Sequence, residues 1–147
     1  MEFGWINLFG AGIVILILIP NIVYARKYKG EKNRCTSLLL NGAEQVGRYA
    51  CITLMWLPLL VREFGFSSLG GAILYGAGNG ALIAAYWCVF ALYFRKRTAG
   101  RAMALAILPA CTFLLSGILL AHWLLVGAAA VFAIGHVAVT HINVQKS

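Results

Sequence analysis

Long apolar runs, separated by short polar or basic segments, dominate the pattern of this chain. The first run covers residues 3–25, the second about 38–61, and the third covers 69–94 without a single charged residue. An α-helix needs about 20 residues to cross the hydrocarbon core of a bilayer, and each run reaches that length. The pattern therefore predicts three membrane-spanning helices in this part of the chain.

The last apolar stretch, residues 102–142, contains no Lys, Arg, Asp or Glu. A single helix of this length would be roughly 60 Å long, about twice the thickness of the hydrocarbon core. The stretch must therefore fold back on itself, and the pair His122-Trp123, typical of a membrane interface, marks its midpoint. Spans of about 102–121 and 123–142 follow. The predicted fold class is an all-α bundle of five transmembrane helices in one domain.

Composition and charge agree with a membrane protein. Of the 147 residues, 62% are hydrophobic and 11% are charged, whereas a soluble domain has about 25% charged residues. The net charge of +8 comes mainly from Lys and Arg clustered in two segments, 26–34 and 95–101. In the predicted topology these segments and Lys146 place ten basic residues on one side of the membrane, whereas the other side has only Arg62. The positive-inside rule places the N-terminus outside and the C-terminus in the cytoplasm. Because topology explains the charge, nucleic acid is not predicted as a partner.

The cysteines and histidines form no metal-ligand pattern. No CxxC pair occurs, and three of the four cysteines lie inside apolar runs, where cysteine acts as a small hydrophobic residue. His136 and His141 are five positions apart and do not share a helix face. The sequence therefore predicts neither a metal site nor a cofactor.

The second span carries a polar stripe inside its apolar run. Arg48 and Glu44 lie on one face of this helix within an arc of roughly 100°, together with Asn41 and Gln45. An arginine at mid-span costs about 2.5–3.5 kcal/mol on insertion scales, and Glu four residues before Arg is the favourable order for a helical ion pair. Such residues are candidates for a functional role. The alternative is structural: Arg48 extends to the cytoplasmic head groups and Glu44 lies at the interface.

Other spans place hydrogen-bonding side chains at the same depth. Tyr75, Asn79 and Tyr86 share one narrow face of the third span. The first span contributes a polar residue near its cytoplasmic end and the fifth contributes two in its inner part. We therefore predict one polar pocket in the cytoplasmic half of the bundle. Its candidate ligand-binding residues are Asn21, Asn41, Glu44, Gln45, Arg48, Asn79, Tyr86, His136 and Thr140.

Small residues recur every four positions in the third span, at Ala72, Gly76, Gly80 and Ala84. Small side chains let helix backbones approach closely in lipid. This small-residue row is predicted to pack against another helix of the same chain. The alternative is a seam with a second copy or with a partner membrane subunit.

Several segments spread over most of the chain, namely LIPNIVY, EQVGRY, EFGFSS, AYW, SGILLAHWLL and IGH, resemble an uncharacterised family of small bacterial multi-pass membrane proteins. The resemblance implies a bacterial origin and a location in the inner membrane, and it implies no activity.

Three functions fit these features. The polar pocket favours transport or binding of a small anionic solute or a membrane lipid, because Arg48 suits an anionic group. One alternative is a membrane-embedded enzyme acting on a lipid or quinone, with Glu44 or His136 as acid–base group. The other is an accessory subunit that docks on a larger membrane complex through the small-residue row.

Overall fold

All five predicted helices are present in the computed structural model, which describes residues 6–61 and 65–147. The helices are α1 (Leu8–Lys27), α2 (Leu38–Trp56), α3 (Leu69–Arg95), α4 (Ala99–Leu119) and α5 (Trp123–Gln145). Four of them, α1, α3, α4 and α5, are long and apolar enough to cross a membrane. Helix α2 falls short of that criterion because its polar stripe lowers its hydropathy. The all-α bundle is thus confirmed, while a membrane crossing by α2 and the orientation of the bundle stay predictions.

Local sequence signals set most helix ends. Ser37 is the N-cap of α2 and its side chain accepts a hydrogen bond from the Leu40 amide. The prediction that α2 continues to residue 61 is wrong, because Pro58 disfavours a helical conformation at the residue before it, and Leu57 is extended, with φ −107° and ψ 110°. Helix α1 begins at Leu8, after its N-cap Asn7. The predicted first span also includes residues 3–5, which, like Arg62, lie outside the described ranges.

The predicted turn between the last two helices is confirmed. Helix α4 ends at Leu119, and Ala121 takes a positive φ of 50° before His122 caps α5. Burial lowers the pKa of His122, and a hydrogen bond with the Leu59 carbonyl oxygen opposes that shift. Because this fixed imidazole ties the turn to the segment after α2, it holds one end of the bundle together.

Helices α2 and α5 are in backbone contact, and two glycines make this possible. A Cβ atom built on Gly135 would lie 2.5 Å from the Glu44 nitrogen, and one on Gly47 would lie 2.6 Å from the Phe132 Cα atom. Real Cβ atoms do not approach other atoms so closely, so only glycine fits at either position. This crossing brings the polar stripe of α2 beside the inner part of α5.

The small-residue row of α3 faces away from the bundle. Apart from the neighbouring backbone of α3 itself, no atom of the described residues lies within 4 Å of a Cβ built on Gly76 or Gly80, and Ala84 is exposed. The prediction that this row packs against another helix of the chain is therefore wrong for Gly76, Gly80 and Ala84, because a different face of α3, with Tyr75 and Tyr86, is the buried one. Ala72 is half-buried. A contact with a second copy or a partner subunit stays a prediction.

The two ends of the bundle differ in chemistry. At one end, which we call the basic end, the α1–α2 loop meets the start of α4 and the end of α5. Arg97 pairs there with Glu31, and the Arg34 backbone amide donates to Asn143 Oδ1 at 2.6 Å. At the far end Asn7 connects three segments. Its backbone N–H donates to the Trp56 carbonyl oxygen at 2.9 Å. Its side chain accepts from the Gly10 amide, which caps α1, and donates from Nδ2 to the Tyr75 hydroxyl at 3.3 Å.

Replacing Asn7 by Ala should lower the free energy of unfolding by about 1–3 kcal/mol. The change removes an N-cap, which contributes about 1 kcal/mol, and leaves a buried Tyr75 hydroxyl without this donor. Denaturant unfolding in detergent micelles measures the difference. Asn7→Ser is the control, because serine keeps the cap and loses the bond to Tyr75. Equal stability of the Ala and Ser variants with the unmodified chain would contradict the role given to Asn7.

Candidate functional site

The predicted ion pair between Glu44 and Arg48 is present, and His136 joins it. Glu44 Oε1 accepts a hydrogen bond from Arg48 Nη2 at 2.6 Å and lies 2.7 Å from His136 Nδ1. We call these three residues the Glu44 cluster. The Glu44 residue is 6% exposed, and both partners contact the same carboxylate oxygen, Oε1. Because a carboxylate only accepts, the Nδ1 atom carries the proton and donates it.

Helix packing positions each member of the Glu44 cluster. Residues four apart on α2 point the same way, which pairs Glu44 with Arg48. The close crossing at Gly135 brings α5 to the Glu44 backbone, and the neighbouring His136 ring stacks on Phe132 at 4.9 Å between centroids. The imidazole therefore has a fixed orientation toward the carboxylate.

A cavity of about 350 Å³ lies beside the cluster at the centre of the bundle, with walls from all five helices. Arg48 and His136 form part of its wall. Asn21 and Tyr86 add a second polar patch, joined by a 2.7 Å hydrogen bond from Asn21 Nδ2 to the Tyr86 hydroxyl. The rest of the wall is mainly apolar or aromatic: Val14, Ile17, Leu18, Tyr24, Ala25, Ile52, Pro109, Phe113 and Phe132. The central cavity thus combines a cationic group with a mostly apolar lining.

A wider basin of about 1380 Å³ opens at the basic end. The α1–α2 loop, the α3–α4 connection and the end of α5 surround it. Glu44 and His136 lie in its wall, and His136 also lines the central cavity. The Glu44 cluster therefore separates an open basin from an inner, largely apolar space.

An ion pair fixes the rim of this basin. Arg97 Nη2 donates to the Tyr24 hydroxyl at 2.6 Å and pairs with Glu31, and its guanidinium lies 4.6 Å from the centre of the Tyr28 ring. Partial burial of Glu31 acts to raise its carboxyl pKa, but the hydrogen bonds from Tyr24 and Arg97 outweigh it, so that the net pKa is lowered. The rim therefore ties the α1–α2 loop to the end of α3.

The structure brings most of the predicted site residues together. Glu44, Arg48 and His136 are in direct contact, the Asn21–Tyr86 pair lies on the wall of the same cavity, and Thr140 lines the basin. Among these six residues, Arg48 and His136 contact Glu44, and Asn21 contacts Tyr86. The Asn21–Tyr86 pair and Thr140 therefore line the two spaces without joining the Glu44 cluster.

Three predicted residues lie elsewhere. Asn41 holds the α1–α2 loop, because it donates to the Cys35 carbonyl at 2.9 Å and accepts from Asn33 at 2.7 Å. Gln45 is exposed on the outer face of α2. Asn79 is buried in a separate cluster, where its side chain donates to Ser116 Oγ at 3.0 Å. The helical period shows which residues share a face of one helix. It does not show which other element packs against that face, so it could not separate these three residues from the site.

Several residues that line the basin were not predicted from the sequence, and Asn143 is the one among them for which a signal was available. Asn143 lines the basin and donates from Nδ2 to Asn33 Oδ1 at 3.0 Å. Its spacing of seven from His136 puts it on the same face of α5 as His136 and Thr140. The signal was therefore available, although Asn143 lies just beyond the predicted end of the span at residue 142.

These features describe the class of protein: an α-helical bundle of the membrane type, with a partly buried ionic cluster between two cavities. Among the described residues, no group of three or more His, Cys, Asp and Glu side chains is arranged to hold a metal ion. Comparisons with protein-family models, curated proteins and solved structures give no match.

Proposed function

We propose that this chain is an integral membrane protein that binds an anionic amphiphile in its central cavity. The observation that carries the proposal is the wall of that cavity, where Arg48 and His136 face a space lined mainly by apolar side chains. The anionic head group would contact Arg48, and the apolar tail would occupy the remaining space. Transport of the same class of molecule is the wider function that this binding would serve.

The charge of Arg48 supports an anionic head group. Its side chain is 35% exposed, and a guanidinium has five N–H donors in a planar fork that matches carboxylates and phosphates. The bond to Glu44 occupies one of these donors. The guanidinium can therefore hold a second anionic group beside Glu44 without a change of position.

The lining favours an amphiphile over a small soluble anion. Most of the side chains in the wall are apolar or aromatic, and an unpaired charge placed against such a surface loses hydration without compensation. A tail would instead bury apolar surface there, and the volume lies within the range of about 300–1,000 Å³ typical of ligand sites. Asn21 on α1 is exposed and Arg48 on α2 is partly exposed, so the wall reaches the molecular surface between these helices.

The position in the membrane is part of the proposal. Helix α2 presents Leu39, Val46 and Tyr49 on its outer face, each more than half exposed, and such an apolar surface is suited to lipid. With ten basic residues at the basic end, the positive-inside rule turns the basin toward the cytoplasm and the far end outward. A bacterial inner membrane stays a prediction from the sequence resemblance.

The test is binding of dodecanoyl lysophosphatidylglycerol, a single-chain lipid with one fixed negative charge, to the protein in maltoside micelles. Calorimetry should show saturable binding at one site, with weak binding of lysophosphatidylcholine and of glycerophosphoglycerol, which has the same head group without a chain. Arg48→Gln should weaken binding by about tenfold, because the head group loses its charged partner, and that partner is partly hydrated at 35% exposure. Arg26→Gln, at an exposed position outside both cavities, is the control. Equal binding by the two variants would contradict the proposal.

A membrane enzyme acting on a lipid or quinone is the second candidate. The observation in its favour is the 2.7 Å contact between Glu44 and His136, because an imidazole and a carboxylate in contact form an acid–base pair. Chemical conversion of the bound lysolipid, followed by mass spectrometry, would favour the enzyme over a binding protein.

A further inference from the structure

When an anion binds beside the Glu44 cluster, the site carries one uncompensated negative charge unless a proton also binds. The carboxylate of Glu44 and the guanidinium of Arg48 cancel, and the imidazole of His136 is either neutral or positive. With a neutral imidazole, an anionic head group brings the net charge of the site to minus one. With a protonated imidazole the same head group brings it to zero, and beside a mostly apolar wall the state without net charge is favoured.

We propose that the protein takes up one proton at His136 for each anionic head group that binds beside Arg48. This inference rests on the proposed function and adds its regulation. The proton comes from water in the basin and forms an N–H bond at Nε2, while Nδ1–H continues to donate to Glu44. Binding is thus coupled to the proton concentration on the basin side.

The geometry supports His136 as the proton acceptor. It lines both the basin and the central cavity, so a proton can arrive from one side while the anion lies on the other. Its Nδ1 atom lies 2.7 Å from the Glu44 carboxylate, so Nε2 is the ring atom left to bind a second proton. Histidine is also the side chain that ordinarily changes charge between about pH 5 and pH 8.

The other charged and titratable groups around His136 are arranged differently. From α2 it faces Glu44 and Arg48, which form the ion pair already described. Tyr24 of α1 and Tyr86 of α3 reach the wall of the cavity, and Tyr28 and Tyr93 line the basin. Helix α4 adds no titratable side chain to either wall. The basin rim carries Lys29, Lys32, Arg34 and Arg97 with Glu31, a set that attracts the head group without exchanging the proton.

Calorimetry with lysophosphatidylglycerol tests the coupling, since its phosphodiester keeps one charge over this pH range. The affinity should fall as the pH rises from about 5.5 to about 8, by up to about tenfold per pH unit. Titrations in two buffers with different ionisation enthalpies should give an uptake that approaches one proton near the alkaline end. His141→Gln, on the exposed opposite face of α5, should behave like the unmodified chain.

Two variants separate this mechanism from a general effect of pH. Glu44→Gln removes the negative charge, so the anion then neutralises Arg48 without a proton; binding at about pH 8 should be tighter than in the unmodified chain, with a flat pH profile. His136→Gln should also have a flat profile, at the affinity that the unmodified chain shows at alkaline pH. If Glu44→Gln does not fold, the His136 variant and the proton count decide.

The outcomes distinguish the two levels of the argument. Binding that is independent of pH, or a Glu44→Gln variant that keeps the unmodified slope, overturns the proton coupling and leaves anion binding intact. Absence of lysophosphatidylglycerol binding at every pH overturns the proposed function itself.

Discussion

A single methyl group at residue 135 should separate α2 from α5 and take the Glu44 cluster apart. In Gly135→Ala the new Cβ would lie 2.5 Å from the Glu44 backbone nitrogen, and neither helix backbone can yield locally. The helices must move apart, which costs typically about 1–3 kcal/mol and sometimes more. Because Glu44 and His136 are on the two helices that separate, their hydrogen bond should be lost together with lipid binding.

Unfolding in mixed detergent micelles measures the loss of stability, and calorimetry with the lysolipid measures the loss of binding. Gly47→Ala, whose Cβ would lie 2.6 Å from the Phe132 backbone, should give the same result. Gly80→Ala on α3 is the matched control: its Cβ meets no described atom within 4 Å, and alanine raises helix stability by up to about 1 kcal/mol over glycine. A Gly135→Ala variant as stable as Gly80→Ala would contradict the close crossing.

Removal of the Glu44 carboxylate should have the second large effect. Glu44→Ala leaves Arg48 and His136 without their shared acceptor, and loss of one partner of a buried ion pair costs about 3–5 kcal/mol. Because the Arg48 side chain is 35% exposed, water can replace part of the interaction, and a loss of about 1–3 kcal/mol is expected.

Two neighbouring changes serve as controls for Glu44→Ala. Glu44→Gln should be less destabilising, since the amide oxygen can still accept a hydrogen bond. Gln45→Ala, one position along and exposed, should change the free energy of unfolding by less than about 0.5 kcal/mol. If chemical unfolding showed the same small change for Glu44→Ala and Gln45→Ala, Glu44 would not be the organising residue of the site.

Much of the fold could be predicted because it follows from local signals. Apolar runs gave the helices, the basic segments gave the connections between them, and the pair His122-Trp123 gave the last turn. The end of α2 was predicted wrongly because the apolar run continues past Pro58. A boundary placed by hydropathy therefore falls at residue 61, although the proline ends the helix earlier.

Only those features of the candidate site that depend on the geometry of a single helix could be predicted from the sequence. The Glu44–Arg48 pair depends on a spacing of four, and the shared face of Tyr75, Asn79 and Tyr86 on the helical period, so both were available. The pairing of Asn79 with Ser116 instead of the central cavity depends on how α3 meets α4. The same limit applies to the glycines, since Gly47 and Gly135 mediate close packing although neither belongs to a regular small-residue row.

The most direct test of the central claim is an experimental structure, from crystals grown in a lipid mesophase with dodecanoyl lysophosphatidylglycerol. The claim predicts a phosphate within hydrogen-bonding distance of Arg48 and an acyl chain along Phe113 and Phe132 in the central cavity. A structure in which Arg48 extends to the membrane surface, the cavity is filled by side chains and the lipid lies only on the outside would contradict it.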